Sequence, residues 1–309
     1  MIETWQQTLP HGITLSCRAS GRRGRPVLMF LHGFPEAAFV WDALLLHFSR
    51  PENGGYRCVA PNLRGYEHSS APPDVEDYRA RHLMQDITAL IDAECGTDQP
   101  LAALVAHDWG GALAWAVANQ HPQRMRQLVI INAPHPGTFL RELQHNPAQQ
   151  AASEYMNFLV RPDAATRLAA DGYRRLFGFF EGMGADAMPG SPGAPEGAGW
   201  LTPAVRAQYR AVWNLGLEGG LNYYRASPLR AAHGQGPALQ LPPDLLHIAV
   251  PTLVLWAQDD IALLPCLTDG LQAFVPDLRL VPIAHATHWL VHEQPARVIA
   301  EISAFLQPQ

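Results

Sequence analysis

Short apolar runs alternate with longer segments whose apolar residues recur at helical spacing. Pro26 to Leu31 and Pro251 to Trp256 are apolar almost throughout, which is typical of strands buried on both faces. Leu83, Ile87, Leu90 and Ile91 instead follow the spacing of an amphipathic helix. This alternation predicts an α/β fold with a mostly parallel sheet flanked by helices. The predicted strands are 13–18, 26–31, 56–60, the run that begins at Leu101, 129–131, 251–256 and 278–282, and the predicted last helix is 295–306.

The alternation stops between residues 134 and 246. This segment is helical in character, rich in aromatic residues, and contains a Gly/Pro/Ala-rich stretch at 182–199 that predicts a loop. We therefore predict a core domain formed by residues 1–133 and 247–309, and a helical cap formed by residues 134–246 that is inserted over the sheet.

Length and composition narrow the functional classes. A chain of 309 residues with 48% hydrophobic residues can bury one large core, and its net charge of −6 argues against nucleic acid or an anionic membrane as the main partner. No apolar run is long enough to span a membrane, and the first residues lack the pattern of a secretory signal. The four cysteines are widely spaced, which predicts reduced thiols in a cytoplasmic protein. The oligomeric state stays open, with a homodimer as one option.

The stretch from Leu101 to Gly111 carries the first chemical signal. Its apolar run breaks at Asp108 and continues as a second apolar segment that suits a buried helix. Small residues lie two positions before and two positions after Asp108, as a sharp strand-to-helix turn requires. This layout is that of a nucleophile elbow with aspartate, rather than serine, at its apex. The alternative is a helix N-cap, a position that aspartate also favours.

Two further strand ends supply a candidate acid and a candidate base. Reactive groups of an α/β sheet lie at the carboxyl ends of its strands, and the order nucleophile, acid, histidine suits this elbow type. We predict Asp260 as the acid and His288 as the base, with Asp259 and His285 as their competitors. The acid would hold the imidazole in one tautomer and stabilise its cation.

An aspartate nucleophile restricts the reaction. It is already ionised at neutral pH, and it can displace a leaving group at a saturated carbon to form an alkyl-enzyme ester. The histidine then activates the water that hydrolyses this ester. The resulting oxyanion needs two N–H donors, for which we predict the backbone amides of Phe34 and Trp109. Neither a metal ion nor an organic cofactor is required.

Several motifs give the chain a resemblance to the α/β-hydrolase superfamily and, within it, to the soluble epoxide hydrolases. His32-Gly33-Phe34-Pro35-Glu36 resembles the oxyanion loop of the family, and His107 to Gly111 resembles its nucleophile motif. The Arg64-Gly65-Tyr66 segment also matches, although Glu67-His68-Ser69 replaces the usual Gly-Asp-Ser. His288-Trp289, with Glu293 and Pro295, resembles the histidine segment, although Thr287 replaces a glycine.

The resemblance implies two tyrosines that activate an epoxide oxygen. Glu154 to Phe158 and Leu221 to Arg225 resemble the segments that carry them, which identifies Tyr155 and Tyr224, with Tyr223 in the place of a tryptophan. The implied substrate is a small-molecule epoxide. The substrate-binding residues implied by the resemblance are His32, Pro35, Trp109, Tyr155 and Tyr224.

Two alternatives remain at this point. Haloalkane and haloacetate dehalogenases use the same Asp-His-Asp groups, but the former usually carry asparagine where Phe34 stands and the latter arginine where Trp109 stands. The second alternative is an α/β-hydrolase relative that binds ligands without catalysis. The intact set of Asp108, Asp260 and His288 argues against it.

Overall fold

An eight-stranded sheet forms the centre of the protein, in the spatial order β1-β2-β4-β3-β5-β6-β7-β8. The computed structural model describes residues 1–97, 99–191, 193–230 and 236–307. The strands are β1 (Glu3–Thr8), β2 (Thr14–Ser20), β3 (Val27–Leu31), β4 (Arg57–Pro61), β5 (Ala103–His107), β6 (Leu128–Ile131), β7 (Thr252–Ala257) and β8 (Leu278–Ile283).

The strands from β4 to β8 along the sheet are parallel, which confirms the predicted architecture. In the register, His107 pairs with Ile131 and Ile131 pairs with Leu255, so neighbouring strands end side by side. Strands β3 to β7 are buried at every position, because helices cover both faces. The groups that follow these strands are consequently collected at one edge of the sheet.

The sequence pattern misses the first strand. Residues Glu3–Thr8 are mostly polar and at least partly exposed, because β1 lies at the edge of the sheet, where it pairs antiparallel with β2. A strand that buries so little apolar surface leaves no apolar run in the sequence. At the other edge, β8 is also half exposed, although its apolar residues sufficed to predict it.

Helices surround the sheet and also form the segment from 134 to 246. Those of the sheet region include α3, which follows β5 directly, and α11, whose bounds equal the predicted last helix. The helices are α1 (Asp42–Phe48), α2 (Ala80–Cys95), α3 (Asp108–Gln120), α4 (Pro136–His145), α5 (Pro147–Ala152), α6 (Tyr155–Leu159), α7 (Ala164–Glu181, kinked at 170–173), α8 (Pro203–Trp213), α9 (Glu218–Ala226), α10 (Leu290–Glu293) and α11 (Pro295–Leu306).

The described residues between 134 and 246 contribute helices and turns but no strand. The predicted loop 182–199 consists of turns and irregular backbone, and its residue 192 lies outside the described residues. Hydrogen bonds attach this helical segment to loops after the strands. Among them, Trp213 Nε1–H donates to the Pro35 carbonyl at 2.7 Å, and the Tyr223 hydroxyl donates to the Arg64 carbonyl at 3.0 Å. Helices α8 and α9 therefore lie at the sheet edge where the strands end.

Within the described residues, no helix is both long and apolar enough to cross a lipid bilayer.

Candidate active site

Asp108 occupies the sharp turn between β5 and α3. Its φ of 49° lies in the left-handed region, which a residue other than glycine rarely adopts and which often marks a functional site. The neighbouring glycines allow the turn: a Cβ on Gly110 would lie 2.5 Å from the Leu31 carbonyl oxygen, and one on Gly111 would overlap the Ala133 side chain. The predicted strand–turn–helix is therefore present, with a carboxylate at its apex.

Asp260 and His288 lie beside Asp108. The His288 Nδ1–H donates to Asp260 Oδ2 at 2.8 Å, and its Nε2 lies 3.6 Å from Asp108 Oδ2. The competing residues, Asp259 and His285, are exposed to solvent. The structure thus brings together the three residues that the sequence analysis favoured.

Asp260 is surrounded by hydrogen-bond donors. Its Oδ1 accepts the backbone N–H groups of Ala262 and Leu263 at 2.8 and 2.9 Å. Its Oδ2 accepts from Asn132 Nδ2 at 2.9 Å as well as from His288. Asn132 follows β6 and has a φ of 41°, and the sequence analysis assigned it no role. This environment orients the carboxylate and favours its ionised form.

The charges of the two aspartates dominate the electrostatics of His288. Burial of the ring opposes its protonation, but the charge of Asp260 and the hydrogen bonds to Asp108 and Asp260 outweigh burial and raise the pKa of His288 to about 10. Burial likewise opposes ionisation of Asp108, but the hydrogen bond and charge of His288 hold the pKa of that carboxyl below its ordinary value. These interactions favour an imidazolium between two carboxylates.

The loop after β3 approaches the Asp108 carboxylate closely. The Phe34 backbone N–H donates to Asp108 Oδ1 at 2.8 Å. Gly33 permits this approach, since a Cβ at this position would overlap the same oxygen. Trp109 lies in the first turn of α3, where backbone N–H groups have no partner within the helix. Its amide is thus available to the site, and its role as second donor stays a prediction.

His32 and Pro35 are not brought to the cavity in which Asp108 lies. The His32 ring is fully buried: its Nε2 accepts the Leu63 N–H at 3.1 Å and its Nδ1 lies 2.9 Å from the Gly33 carbonyl. The Pro35 carbonyl accepts from Trp213. Both residues bond to neighbouring parts of the chain and hold the loop after β3 in place. They do not line the cavity, as their predicted contact with substrate would require.

Tyr155 and Tyr224 line the same cavity as Asp108. Tyr155 begins α6 and Tyr224 lies in α9; their ring centroids are 6.3 Å apart, edge to face. The Tyr224 ring also packs edge-on against Trp109 and Phe34. Burial, together with the nearby Asp108 charge, raises the pKa of both phenols, so both remain protonated donors at neutral pH.

The cavity itself has a volume of about 520 Å³ and mostly apolar walls. Among the described residues that line it, Asp108 carries the only charged side chain. No group of three or more His, Cys, Asp or Glu side chains in the described part of the chain could hold a metal ion.

A buried polar network behind His288 has no counterpart in the sequence analysis. The Glu36 Oε1 accepts the Tyr209 hydroxyl at 2.7 Å and lies 2.6 Å from His292 Nε2, while Oε2 lies 3.3 Å from His107 Nδ1. His107 Nε2–H in turn donates to the His288 carbonyl at 2.9 Å. Burial opposes ionisation of Glu36, but the two histidines hold its pKa well below the ordinary value. The available signal was Glu36 as the last residue of the oxyanion-loop motif.

Comparison with known proteins identifies the family to which this fold belongs. The profile of the α/β-hydrolase fold matches residues 26–295. The fold and the site thus define an α/β-hydrolase, and the chain belongs to that family. It is 31% identical to the AB hydrolase superfamily protein YfhM of Bacillus subtilis (strain 168), with 97% of this chain and 96% of the relative covered.

Further relatives narrow the assignment within this family. The chain is 31% identical to epoxide hydrolase 3 of Xenopus tropicalis, with 96% of this chain and 75% of the relative covered. A crystal structure of a Bacillus megaterium epoxide hydrolase with an inhibitor superimposes with a TM-score of 0.84 at 28% identity, covering 98% of this chain and 99% of the other. The chain is therefore a hydrolase of the epoxide hydrolase family.

Proposed function

We propose that this protein converts an epoxide to a vicinal diol through a covalent ester on Asp108. The observation that carries the proposal is the composition of the cavity. A carboxylate at a strained elbow and the side chains of Tyr155 and Tyr224 line one apolar space. A carboxylate suits displacement at a saturated carbon, and two neutral phenols suit an oxygen leaving group.

In the first step, Asp108 attacks a ring carbon of the epoxide. Because Oδ1 accepts the Phe34 N–H, Oδ2 is the attacking oxygen. A bond forms between Oδ2 and the carbon, while the bond between that carbon and the ring oxygen breaks and its electron pair moves onto the oxygen. Tyr155 and Tyr224 donate hydrogen bonds to this oxygen, and one of them transfers its proton.

In the second step, water hydrolyses the ester. The His288 imidazolium first releases its proton to solvent. The neutral ring then takes a proton from the water, whose oxygen attacks the carboxyl carbon of Asp108. The Phe34 and Trp109 amides stabilise the oxyanion that forms. When this intermediate collapses, the bond from the carboxyl carbon to the ester oxygen, Oδ2, breaks, so Oδ2 leaves in the diol and the water oxygen stays in the carboxyl group. The diol takes the proton held by His288. The remaining proton of the water then passes from the Asp108 carboxyl to His288, which restores both the carboxylate and the imidazolium. The tyrosinate regains its proton from solvent.

The electrostatics support this order of events. With both aspartates ionised, the pKa of His288 is raised to about 10, so His288 is protonated and cannot act as a base. Formation of the ester removes the negative charge of Asp108 and with it one cause of the raised pKa. His288 therefore becomes a competent base only after the nucleophile has reacted.

The division into a core (1–133 and 247–309) and a cap (134–246) belongs to the same proposal. All eight strands and the residues Phe34, Asp108, Asp260 and His288 lie in the core, while both tyrosines lie in the cap. The epoxide would thus be opened between the two parts, with the nucleophile on one side and the proton donors on the other.

Intact mass spectrometry of the His288→Gln variant tests the proposal. With an epoxide, this variant should retain the full mass of the substrate, because opening of the ring releases no fragment. Asp108→Asn should show no adduct, and His285→Gln, a matched change at an exposed histidine, should turn over like the wild type. Halide release from a haloalkane or haloacetate without any diol from epoxides would contradict the proposal in favour of a dehalogenase.

A further inference from the structure

The cavity extends well beyond the catalytic groups, along one face of α3. Asp108, Ala112, Ala116 and Gln120 all line it, one per helical turn. At a rise of 1.5 Å per residue, this wall is about 18 Å long. An epoxide ring held by Asp108 and the tyrosines would occupy only one end of this space.

The far part of the cavity has further walls. Residues 226–229 and Leu245 line it together with α3. Asn119 Nδ2 donates to the carbonyls of Asp244 and His247, at 2.9 Å each, and so fastens the chain on both sides of Leu245 to the carboxyl-terminal end of the helix. A volume of about 520 Å³ along a wall of about 18 Å makes the cavity an elongated channel rather than a round pocket.

Two alanines create the width of this channel. Ala112 and Ala116 are partly exposed, whereas Ala114 and Val117 on the other face of α3 are fully buried. A larger residue at either position would project into the channel. The small side chains leave a continuous groove on the helix surface.

The charge of the walls restricts the ligand further. No lysine or arginine is found among the described residues that line the channel, and Asp108 contributes a negative charge at its catalytic end. A carboxylate buried there would lose its hydration without gaining a counter-ion. The channel consequently suits an uncharged hydrocarbon.

We propose that the preferred substrates are epoxides with a long, unbranched and uncharged hydrocarbon substituent, which lies along α3 over Ala112 and Ala116. This inference rests on the proposed epoxide hydrolysis. It adds a substrate class and two specificity-determining residues.

Terminal epoxides with an increasingly long alkyl chain provide the test. Each methylene that becomes buried should raise kcat/KM about fourfold, until the channel is filled. The same long epoxide ended by a carboxylate should lose this gain. The kcat/KM for compact aryl epoxides such as styrene oxide gives the reference value for substrates that lack a long tail.

Ala116→Leu should lower the ratio of kcat/KM for long over short alkyl epoxides by roughly fifteenfold, because its side chain displaces about two methylenes of the tail. Ala116→Val is the smaller variant to use if the leucine variant fails to fold, with a smaller decrease. Ala93→Leu, the same change at an exposed position of α2, is the matched control and should leave the ratio unchanged.

The outcomes separate the two proposals. If no epoxide of any kind yields a diol, the proposed reaction itself fails. If compact epoxides are hydrolysed but chain length has no effect, or the carboxylate-ended epoxide is hydrolysed equally well, this inference is overturned. Equal length profiles for Ala116→Leu and Ala93→Leu would remove Ala116 from the specificity site.

Discussion

Replacing Asp260 with asparagine keeps the size of the side chain but turns one acceptor into a donor. Oδ1 accepts from Ala262 and Leu263, and Oδ2 accepts from Asn132 and His288. Because all of these partners are donors, only a carboxylate satisfies them together. An asparagine can keep its oxygen on the two backbone N–H groups, but its NH₂ group then faces Asn132 and His288.

In this variant three N–H donors face one another, and His288 is the residue that can change. Asn132 cannot turn its amide around, because its Oδ1 already accepts the Ala257 N–H at 3.1 Å. The imidazole can instead move its proton from Nδ1 to Nε2, and its lone pair then faces away from the ester. Such a ring cannot accept a proton from water, and we expect hydrolysis of the ester to slow by about a thousandfold to ten-thousandfold. Ester formation depends on Asp108 and the tyrosines and should fall far less.

Rapid mixing of Asp260→Asn with an epoxide, followed by acid quench and intact mass measurement, follows both steps. The ester should accumulate to nearly one equivalent. Asp259→Asn, the same change at the exposed neighbour, should turn over normally. The unsatisfied donors should lower the free energy of unfolding by roughly 1–3 kcal/mol, which denaturant titration measures. Absence of the ester, together with turnover close to that of the control, would refute this account of Asp260.

Three further predictions concern other parts of the site. Tyr155→Phe and Tyr224→Phe should each slow ester formation by about a hundredfold to a thousandfold, and the double variant should slow it further. No ester should accumulate in the mass spectrum of these variants. Rapid formation of the ester in the double variant would exclude both phenols from the reaction. Gly33→Ala should abolish activity, because the new Cβ overlaps the nucleophile carboxylate. The control Gly178→Ala places its Cβ in open space on α7, so this variant should remain active and fold at least as stably as the wild type. Equal activity of the two variants would contradict the close approach of the oxyanion loop. Because the pKa of His288 is raised from 6.5 to about 10 by folding, its protonation stabilises the protein fully below pH 6.5, and this contribution is lost as the pH rises through about 10. The difference in unfolding free energy between wild type and His288→Gln should therefore be largest in acid and shrink towards pH 10, and a difference that grows with pH would contradict the assignment.

Much of the sheet follows from apolar runs alone. Strands β3 to β7 are buried on both faces, so each leaves an uninterrupted apolar run, and each was predicted within a few residues. Strand β1 was missed because edge pairing stabilises a polar segment through its backbone. The positions of Asp108, Asp260 and His288 could be predicted, because Asp108 directly follows β5, and Asp260 and His288 lie in the loops that follow β7 and the half-exposed β8.

Other parts of the site depend on packing that no local pattern encodes. Asn132 approaches Asp260 only because β6 lies between β5 and β7, an order that requires knowledge of the strand arrangement. The sequence analysis favoured Asp260 over Asp259, but the burial of Asp260 and the exposure of Asp259 are set by the packing around them. His32 was expected at the substrate because it belongs to a recognised motif, but its ring is enclosed by the backbone of neighbouring loops.

Placing the base after the edge strand has a consequence for the proposed ester. Among the described residues, strand β8 pairs with β7 alone, so no second strand supports the segment that leads to His288. If this edge opens transiently while the proposed ester is present, the base is displaced and hydrolysis waits until β8 pairs again. Changes that weaken β8 should therefore lengthen the lifetime of the ester before they impair its formation.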